Sequence, residues 1–176
     1  MRLFIAIKFS EDILKALLGV QSELKSFDVR GRYSPPENLH LTLAFIGEYG
    51  NPDAVMDALA NLPFTPFPLR LDRLGNFGDL YWAGIADNPK LAAYVKRLRH
   101  ALADRDIPYD RKRFSPHITL VRRAEYFGET PLPPASAPEG EMEVACVSLM
   151  RSDRGKHGMI YTEIGRIGEQ EKTEKN

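Results

Sequence analysis

Two short segments of the chain carry the same arrangement of a histidine and a threonine. The first is Asn-Leu-His-Leu-Thr-Leu-Ala-Phe at residues 38–45, and the second is Ser-Pro-His-Ile-Thr-Leu-Val at residues 115–121, with its histidine 77 positions after the first one. Each is a short apolar run of the kind that forms a β-strand, in which alternate side chains share a face. The pattern therefore predicts two strands that bury an aliphatic face and present an imidazole and a hydroxyl on the other.

The histidines of the two segments, His40 and His117, are candidate catalytic residues. An imidazole has an unperturbed pKa near neutrality, so two rings can supply a neutral base and a protonated acid at once. Hydrolysis of a cyclic phosphodiester needs both, because one group takes a proton from the attacking water while another protonates the departing oxygen on the opposite side. The hydroxyls of Thr42 and Thr119 are candidate donors to the non-bridging phosphate oxygens.

A histidine and a threonine that alternate on a strand can also be the solvent face of a half-buried sheet. The second copy favours a functional site, because the repeat uses two of only four histidines in the chain. The other two, His100 and His157, are expected at the surface, since one lies off the apolar stripe of its helix and the other lies in a glycine-flanked turn.

The elements around the two motifs follow one another in the same order and at the same spacing. A buried strand at residues 3–9, a helix capped by Ser10 and the first motif correspond to a strand at residues 80–86, a helix capped by Asn88 and the second motif. A constant offset over three elements indicates an internal duplication. We therefore predict an α+β fold of two similar lobes related by a pseudo-twofold axis, each a mostly antiparallel sheet with helices packed outside, with the active-site cleft between them.

The rest of the chain is predicted to complete this single domain, which covers residues 1–168. The further elements are a helix after the cap Asn51, a strand at residues 69–74, and a hairpin of strands at residues 144–150 and 159–167. Residues 28–37 and the proline-rich residues 122–143 are predicted to be loops, the second of them flexible and covering the cleft. Trp82 is expected in the core. Residues 169–176 are charged and apolar-free, so we expect a disordered tail.

Composition limits the class of partner and the kind of site. Lys and Arg total 24, as do Asp and Glu, so no overall basic field exists to hold a long polynucleotide, and a nucleic-acid partner would be held locally. The single cysteine, Cys146, excludes an internal disulfide and a cysteine zinc site, and we expect no metal and no cofactor. No apolar run approaches the roughly 18 residues of a membrane span, so a cytoplasmic monomer without a membrane partner is expected.

The opening strand Arg2-Leu3-Phe4-Ile5-Ala6-Ile7 and the two motifs together resemble the 2H phosphoesterase superfamily, which is named for two His-x-Thr-x motifs. Within it the sequence is similar to the RNA 2',3'-cyclic phosphodiesterases, also called 2'-5' RNA ligases, over nearly the whole chain. The resemblance implies hydrolysis of 2',3'-cyclic phosphate ends of RNA to a 2'-phosphate, with tRNA fragments or short oligonucleotides as substrates, and weak reverse 2'-5' ligation. It also implies that His40 protonates the leaving 3'-oxygen and that His117 activates water, although the residues by themselves leave the two roles open.

Three residues beside the motifs are further candidates. Arg122 matches a basic residue that closes the second motif of the family, where it would contact phosphate. Strict alternation places Arg122 out of phase with His117, so it reaches the cleft only if the strand ends or bulges there. Phe45 and Phe114 flank the motifs, and each is expected either to stack a base or to pack in the core.

Two alternative functions are compatible with the same predicted cleft. One is a cyclic phosphodiesterase that acts on small nucleotides, which the neutral net charge also allows. The other is a non-catalytic nucleotide-binding module, which the intact histidines and threonines disfavour. The sequence departs from the resembled family at Asp79-Leu80, where a basic residue is expected before the strand. That departure puts substrate contacts from this strand in doubt.

Overall fold

The computed structural model describes residues 1–168, so the predicted disorder of residues 169–176 lies outside the described part of the chain. In chain order the elements are β1 (Arg2–Ile7), α1 (Glu11–Ser26), β2 (Arg30–Tyr33), a 3-10 helix (Pro36–Asn38), β3 (Leu41–Glu48), α2 (Pro52–Ala60), β4 (Phe67–Phe77), β5 (Leu80–Ile85), α3 (Pro89–Asp104), β6 (Ile118–Glu125), β7 (Glu141–Val144), β8 (Cys146–Gly155) and β9 (Gly158–Gly168). No helix among the described residues is both long and apolar enough to cross a membrane.

The three α-helices begin where their capping residues predict. The Ser10 hydroxyl accepts a hydrogen bond from the backbone N–H of Ile13, at 3.4 Å. The side-chain oxygens of Asn51 and Asn88 accept from the backbone N–H three residues later, each at 3.1 Å, and a proline follows both caps at the first helical position. Local side-chain chemistry therefore fixes all three starts.

Two antiparallel sheets form the framework, which confirms the α+β class. The first sheet has four strands in the order β3-β1-β8-β9, and the second has five in the order β2-β6-β5-β4-β7. Each motif strand lies beside the strand to which the duplication pattern relates it, β3 beside β1 and β6 beside β5. This arrangement is consistent with the predicted pseudo-twofold relation between the sheets.

Helices α1 and α3 each pack against a different sheet from the one that contains the strand preceding them in the chain. Helix α1 follows β1 but packs its stripe of Ile13, Leu17 and Leu24 in one core with β5 and β6 of the second sheet. Helix α3 follows β5 but packs with β1 and β3 of the first sheet, in the other core. A lobe is therefore not a half of the sequence, because an amphipathic stripe requires an apolar partner and does not specify which sheet provides it.

The predicted loop at residues 28–37 is wrong in its first part, since Arg30–Tyr33 forms the edge strand β2, which pairs with β6. Its sequence contains Gly31 and precedes two prolines, which are local signals for a loop, while its hydrogen-bond partners lie about 90 residues further along the chain.

The long connection predicted at residues 122–143 is shorter than expected, because β6 continues to Glu125 and β7 begins at Glu141. The carbonyl oxygen of Pro131 accepts a hydrogen bond from the Tyr81 hydroxyl at 2.9 Å, and the backbone N–H of Ser136 donates to Glu23 of α1 at 2.8 Å. These contacts place this part of the connection against the helix side of the second sheet and not over the cleft.

Candidate active site

The rings of His40 and His117 are held in the same way, each just before a motif strand. The Nδ1 atom of His40 lies 2.6 Å from the carbonyl oxygen of Asn38, and the Nδ1 atom of His117 lies 2.8 Å from that of Ser115. A carbonyl oxygen only accepts hydrogen bonds, so Nδ1 carries the proton in both rings. The neutral form of each imidazole therefore has its lone pair on Nε2, the atom that can exchange a proton with a ligand.

The two threonines differ in their contacts. The hydroxyl of Thr42 lies 2.9 Å from Nε2 of His40, so it donates to the neutral ring. The hydroxyl of Thr119 has no hydrogen-bond partner within residues 1–168, and the residue is half-buried. One threonine thus orients its histidine, while the other has a donor available for a ligand.

A β-bulge interrupts the alternation of β3 directly after its threonine. Thr42 pairs with Ala6 and Ala44 pairs with Ile5, so Leu43 is the extra residue, and both Leu43 and Ala44 are buried. After the bulge, Phe45 returns to the face that carries Thr42.

The second motif strand has a bulge at the equivalent place. Thr119 pairs with Trp82 and Val121 with Tyr81, which leaves Leu120 as the extra residue, and both Leu120 and Val121 are fully buried. Arg122 consequently lies on the same face as Thr119, and the condition under which it reaches the cleft is met.

The effect of distant charges on the pKa of His40 indicates that the two motifs lie near each other. Burial lowers the pKa of His40, and the charges of Arg122 and His117 lower it further, while the hydrogen bond to Asn38 acts in the opposite direction. Because His117 and Arg122 belong to the second sheet, both must approach a ring that belongs to the first. The ring of His40 is accordingly neutral near pH 7 in the ligand-free protein.

Both histidines are in contact with aromatic rings, His40 with two and His117 with one. The ring centroids of Phe4 and Tyr161 lie 5.0 and 5.2 Å from that of His40, and the centroid of Phe77 lies 5.2 Å from that of His117. Phe77 is 49% exposed. None of these rings is among the site residues predicted from the sequence, although an aromatic residue inside the Gly-Asn-Phe-Gly segment at residues 75–78 is a signal for an exposed ring.

The prediction of a core role for Trp82 is wrong. Its neighbours Tyr81 and Ala83 point into the core behind the second sheet, whereas half-buried Trp82 lies on the opposite face and packs against Phe77, with ring centroids 5.2 Å apart. Alternation along β5 puts one of these faces toward the cleft, and the apolar character of tryptophan does not decide which one.

The two candidate stacking residues have different positions. Phe45 lies on the cleft face of the first sheet, in a cluster with Phe4, and the Arg2 guanidinium is 5.0 Å from its ring centroid. Phe114 packs against the main core, where the Arg99 guanidinium is 5.7 Å from its ring centroid. Only Phe45 thus shares a face with a motif threonine.

The described residues contain no group of three or more His, Cys, Asp or Glu side chains that could hold a metal ion. His100 and His157 are both exposed, as predicted.

Two antiparallel sheets that each present a His-x-Thr pair toward the other are the architecture of a 2H phosphoesterase. The chain belongs to the LigT-like phosphoesterase family, which matches residues 7–81 and 84–161.

Two similar proteins carry the name RNA 2',3'-cyclic phosphodiesterase. The one from Thermus thermophilus is 33% identical and the match covers 95% of this chain and 89% of the relative, while the one from Methanothermobacter thermautotrophicus is 29% identical over 93% and 96%. The crystal structure of E. coli LigT complexed with 3'-AMP superposes with a TM-score of 0.79 at 28% identity, covering 95% of this chain and 96% of that one.

Proposed function

We propose that the protein hydrolyses 2',3'-cyclic phosphate ends of RNA to a 2'-phosphate, with His40 and His117 as acid and base. The observation that supports this most directly is the matched hydrogen bond from Nδ1 of each ring to a backbone carbonyl, at 2.6 and 2.8 Å, which makes Nε2 the proton-exchanging atom of both rings. In the ligand-free protein the Thr42 hydroxyl donates to Nε2 of His40, and a leaving oxygen would take its place. Similarity to proteins named RNA 2',3'-cyclic phosphodiesterase supports the same substrate.

In the proposed reaction, water attacks phosphorus in line with the bond to the ribose 3'-oxygen. Nε2 of His117 takes the proton of the water, the P–O3' bond breaks, and Nε2 of His40 gives a proton to the departing oxygen. The product has a 3'-hydroxyl and a 2'-phosphate. The Thr119 hydroxyl and the Arg122 guanidinium would contact the non-bridging oxygens, where negative charge accumulates.

The proton on His40 has to come from the electrostatics of the complex, because burial lowers the pKa of the ring in the ligand-free protein. A bound phosphodiester places a negative charge next to the imidazole, which favours its charged form and raises its pKa again. Substrate binding would therefore prepare His40 as the acid.

If a 5'-hydroxyl replaces water as the nucleophile, the same steps join it to the 2',3'-cyclic phosphate end through a 2'-5' linkage: His117 takes the proton of the 5'-hydroxyl, the P–O3' bond breaks, and His40 protonates the departing 3'-oxygen. We propose this as a weak secondary activity. The substrates would be tRNA fragments or short oligonucleotides. The exposed ring of Phe77 beside His117 and the half-buried ring of Phe45 on the cleft face of the first sheet would offer surfaces on which the terminal base can stack. The chain would work as a monomer without a metal or other cofactor.

Turnover of a dinucleotide that ends in a 2',3'-cyclic phosphate tests the proposal, with a nucleoside 2',3'-cyclic phosphate as the comparison substrate. We expect a 2'-phosphate product from the dinucleotide, detected by phosphorus NMR, and the same rate in the presence of EDTA. Preference for the mononucleotide would indicate a small-nucleotide enzyme, and binding of both without turnover would indicate a binding module. Loss of activity in EDTA that a divalent cation restores would contradict the metal-free mechanism.

A further inference from the structure

Edge strand β2 brings a second arginine next to Arg122. In the pairing of β2 with β6, Arg32 is directly opposite Arg122, and the next pair along is Tyr33 with Val121. Directly opposite residues of an antiparallel pair point to the same face, with Cβ atoms about 4.5–5.5 Å apart. Val121 is buried in the core, so Arg32 and Arg122 both project from the opposite face, which carries Thr119.

This cross-strand pair is unfavourable in the ligand-free protein. Two like charges directly opposite each other destabilise a sheet. Both arginines are exposed, and neither has a carboxylate within 4.0 Å in the described part of the chain. Arg30, on the same strand, differs because its guanidinium lies 3.7 Å from the carboxylate of Asp28. An arrangement of two adjacent, unpaired guanidinium groups beside a phosphate site is suited to a second anion.

The position of Arg32 is fixed by contacts on both sides of it. After it, the Ser34 hydroxyl donates to the carbonyl oxygen of Thr119 at 2.9 Å, and the Ser34 N–H donates to that of Leu120 at 2.9 Å. Before it, Gly31 has a φ of +153°, and a Cβ there would lie 2.8 Å from the carbonyl oxygen of Arg122. The glycine lets β2 approach β6 closely, so Arg32 is held at a constant position relative to the second motif.

We propose that Arg32 binds the phosphodiester on the 5' side of the terminal nucleotide, while Arg122 contacts the cyclic phosphate. This inference rests on the proposed function and adds to it the residue that recognises the internal phosphodiester, and with it a preference for an RNA end over a mononucleotide. The two arginines lie on neighbouring strands, which are about 4.8 Å apart, so they can contact successive phosphates of one chain.

The test compares Arg32→Ala with the wild type on two substrates. One is the dinucleotide with a 2',3'-cyclic end, and the other is the nucleoside 2',3'-cyclic phosphate, which lacks the 5'-phosphodiester. We expect KM for the dinucleotide to rise about tenfold, as for loss of a hydrogen bond to a charged group, with kcat and both constants for the mononucleotide unchanged. Arg30→Ala is the matched control, and it should leave both substrates unaffected.

A dinucleotide with an uncharged methylphosphonate in place of the internal phosphodiester completes the design. The KM of the wild type should be about tenfold higher for this analogue than for the natural dinucleotide. The KM of Arg32→Ala should be the same for both, because the two changes remove the same interaction. If Arg32→Ala raises KM equally for the dinucleotide and the mononucleotide, or does not raise KM for the dinucleotide, the proposed role of Arg32 is overturned. A wild-type protein that hydrolyses neither substrate would instead overturn the proposed function itself.

Discussion

At the scale of single residues, His40 is the group whose chemistry depends most on its surroundings. Burial and the nearby charges of Arg122 and His117 lower its pKa, whereas the carbonyl of Asn38 fixes its Nδ1 proton and the Thr42 hydroxyl occupies Nε2. A ligand that carries negative charge favours the protonated ring and so raises the pKa of His40. The protonation of His40 should therefore differ between the free enzyme and its substrate complex.

This difference predicts a shift between two pH profiles. Both kcat/KM and kcat should be bell-shaped, and kcat/KM describes the free enzyme while kcat describes the complex. If His40 is the acid, its lowered pKa moves the alkaline limb of the kcat/KM profile to a lower pH than an ordinary histidine would give. Bound phosphate should raise the pKa of His40, so the alkaline limb of the kcat profile should lie at higher pH. The apparent values belong to the coupled pair of rings, so initial rates are to be measured over the whole range from about pH 5 to 8.

The variant His117→Ala separates the two roles. Its profile should lose the acidic limb if His117 is the base and keep the alkaline limb set by His40. Loss of the alkaline limb in this variant would exchange the two roles and leave the reaction the same.

Removal of the histidines should reduce the rate and leave the fold intact. His40→Ala and His117→Ala are each expected to lower kcat by about 10²–10⁴, the usual contribution of a positioned acid or base. The double variant should be scarcely worse than either single one, because both groups act in one step. Thermal unfolding of each variant is the control for folding. Near wild-type turnover in either single variant would exclude the two-histidine mechanism.

At the scale of elements, the site depends on how β2 and β6 are held together behind the second motif. Gln21 of α1 is 5% exposed, and its side-chain N–H groups donate to the carbonyl oxygens of Ser34 and Leu120 at 2.9 and 3.0 Å. A helix that packs behind the sheet thereby connects the end of the edge strand to the bulge of the motif strand. Few polar side chains in the described core have such a structural role, since the buried polar residues there are Gln21, Ser148 and Ser152.

Replacement of Gln21 should therefore cost stability. Gln21→Leu keeps the approximate volume but removes both hydrogen bonds. The Leu120 carbonyl oxygen keeps the Ser34 N–H as a donor, whereas the half-buried Ser34 carbonyl oxygen loses the Gln21 donor. We therefore expect a loss of about 1–3 kcal/mol in the free energy of unfolding. Urea denaturation measures this change. The adjacent exposed residue on the same helix provides the control, and Ser22→Ala should change the free energy by less than about 0.5 kcal/mol. A Gln21→Leu protein as stable as the control would show that the two hydrogen bonds contribute little.

At the scale of the whole molecule, balanced charge limits how RNA can be held. The 24 basic and 24 acidic residues give a formal net charge of +0, so attraction has to come from local groups such as Arg32 and Arg122. The observed rate of association with a long RNA should accordingly gain little from the overall field.

Salt dependence tests this description. Each phosphate contact with a single strand contributes about −0.7 to the slope of log K against log salt, so two or three contacts predict a slope between about −1.4 and −2.1. Binding of a 2'-phosphorylated dinucleotide and of a decanucleotide with the same end, measured by titration at several salt concentrations, should give similar slopes. A much steeper slope for the decanucleotide would reveal an extended basic groove.

The sequence by itself determined the features that depend on neighbouring residues. The caps Ser10, Asn51 and Asn88 fixed the starts of the helices, alternation identified the motif strands, and the repeated His-x-Thr pair located the candidate site. The predicted helix starts and motif strands are confirmed, because the interactions that stabilise a helix start or orient a strand face lie within a few residues of each other.

Only the tertiary structure decided the features that depend on distant pairing. The bulges at Leu43 and Leu120 arise from register with β1 and β5, and the bulge at Leu120 carries Arg122 to the cleft face against strict alternation. The strand at Arg30–Tyr33 exists because β6 supplies its hydrogen bonds, and the helices pack on each other's sheets. Each outcome depends on contacts between residues far apart in the chain, which local propensity and periodicity do not encode.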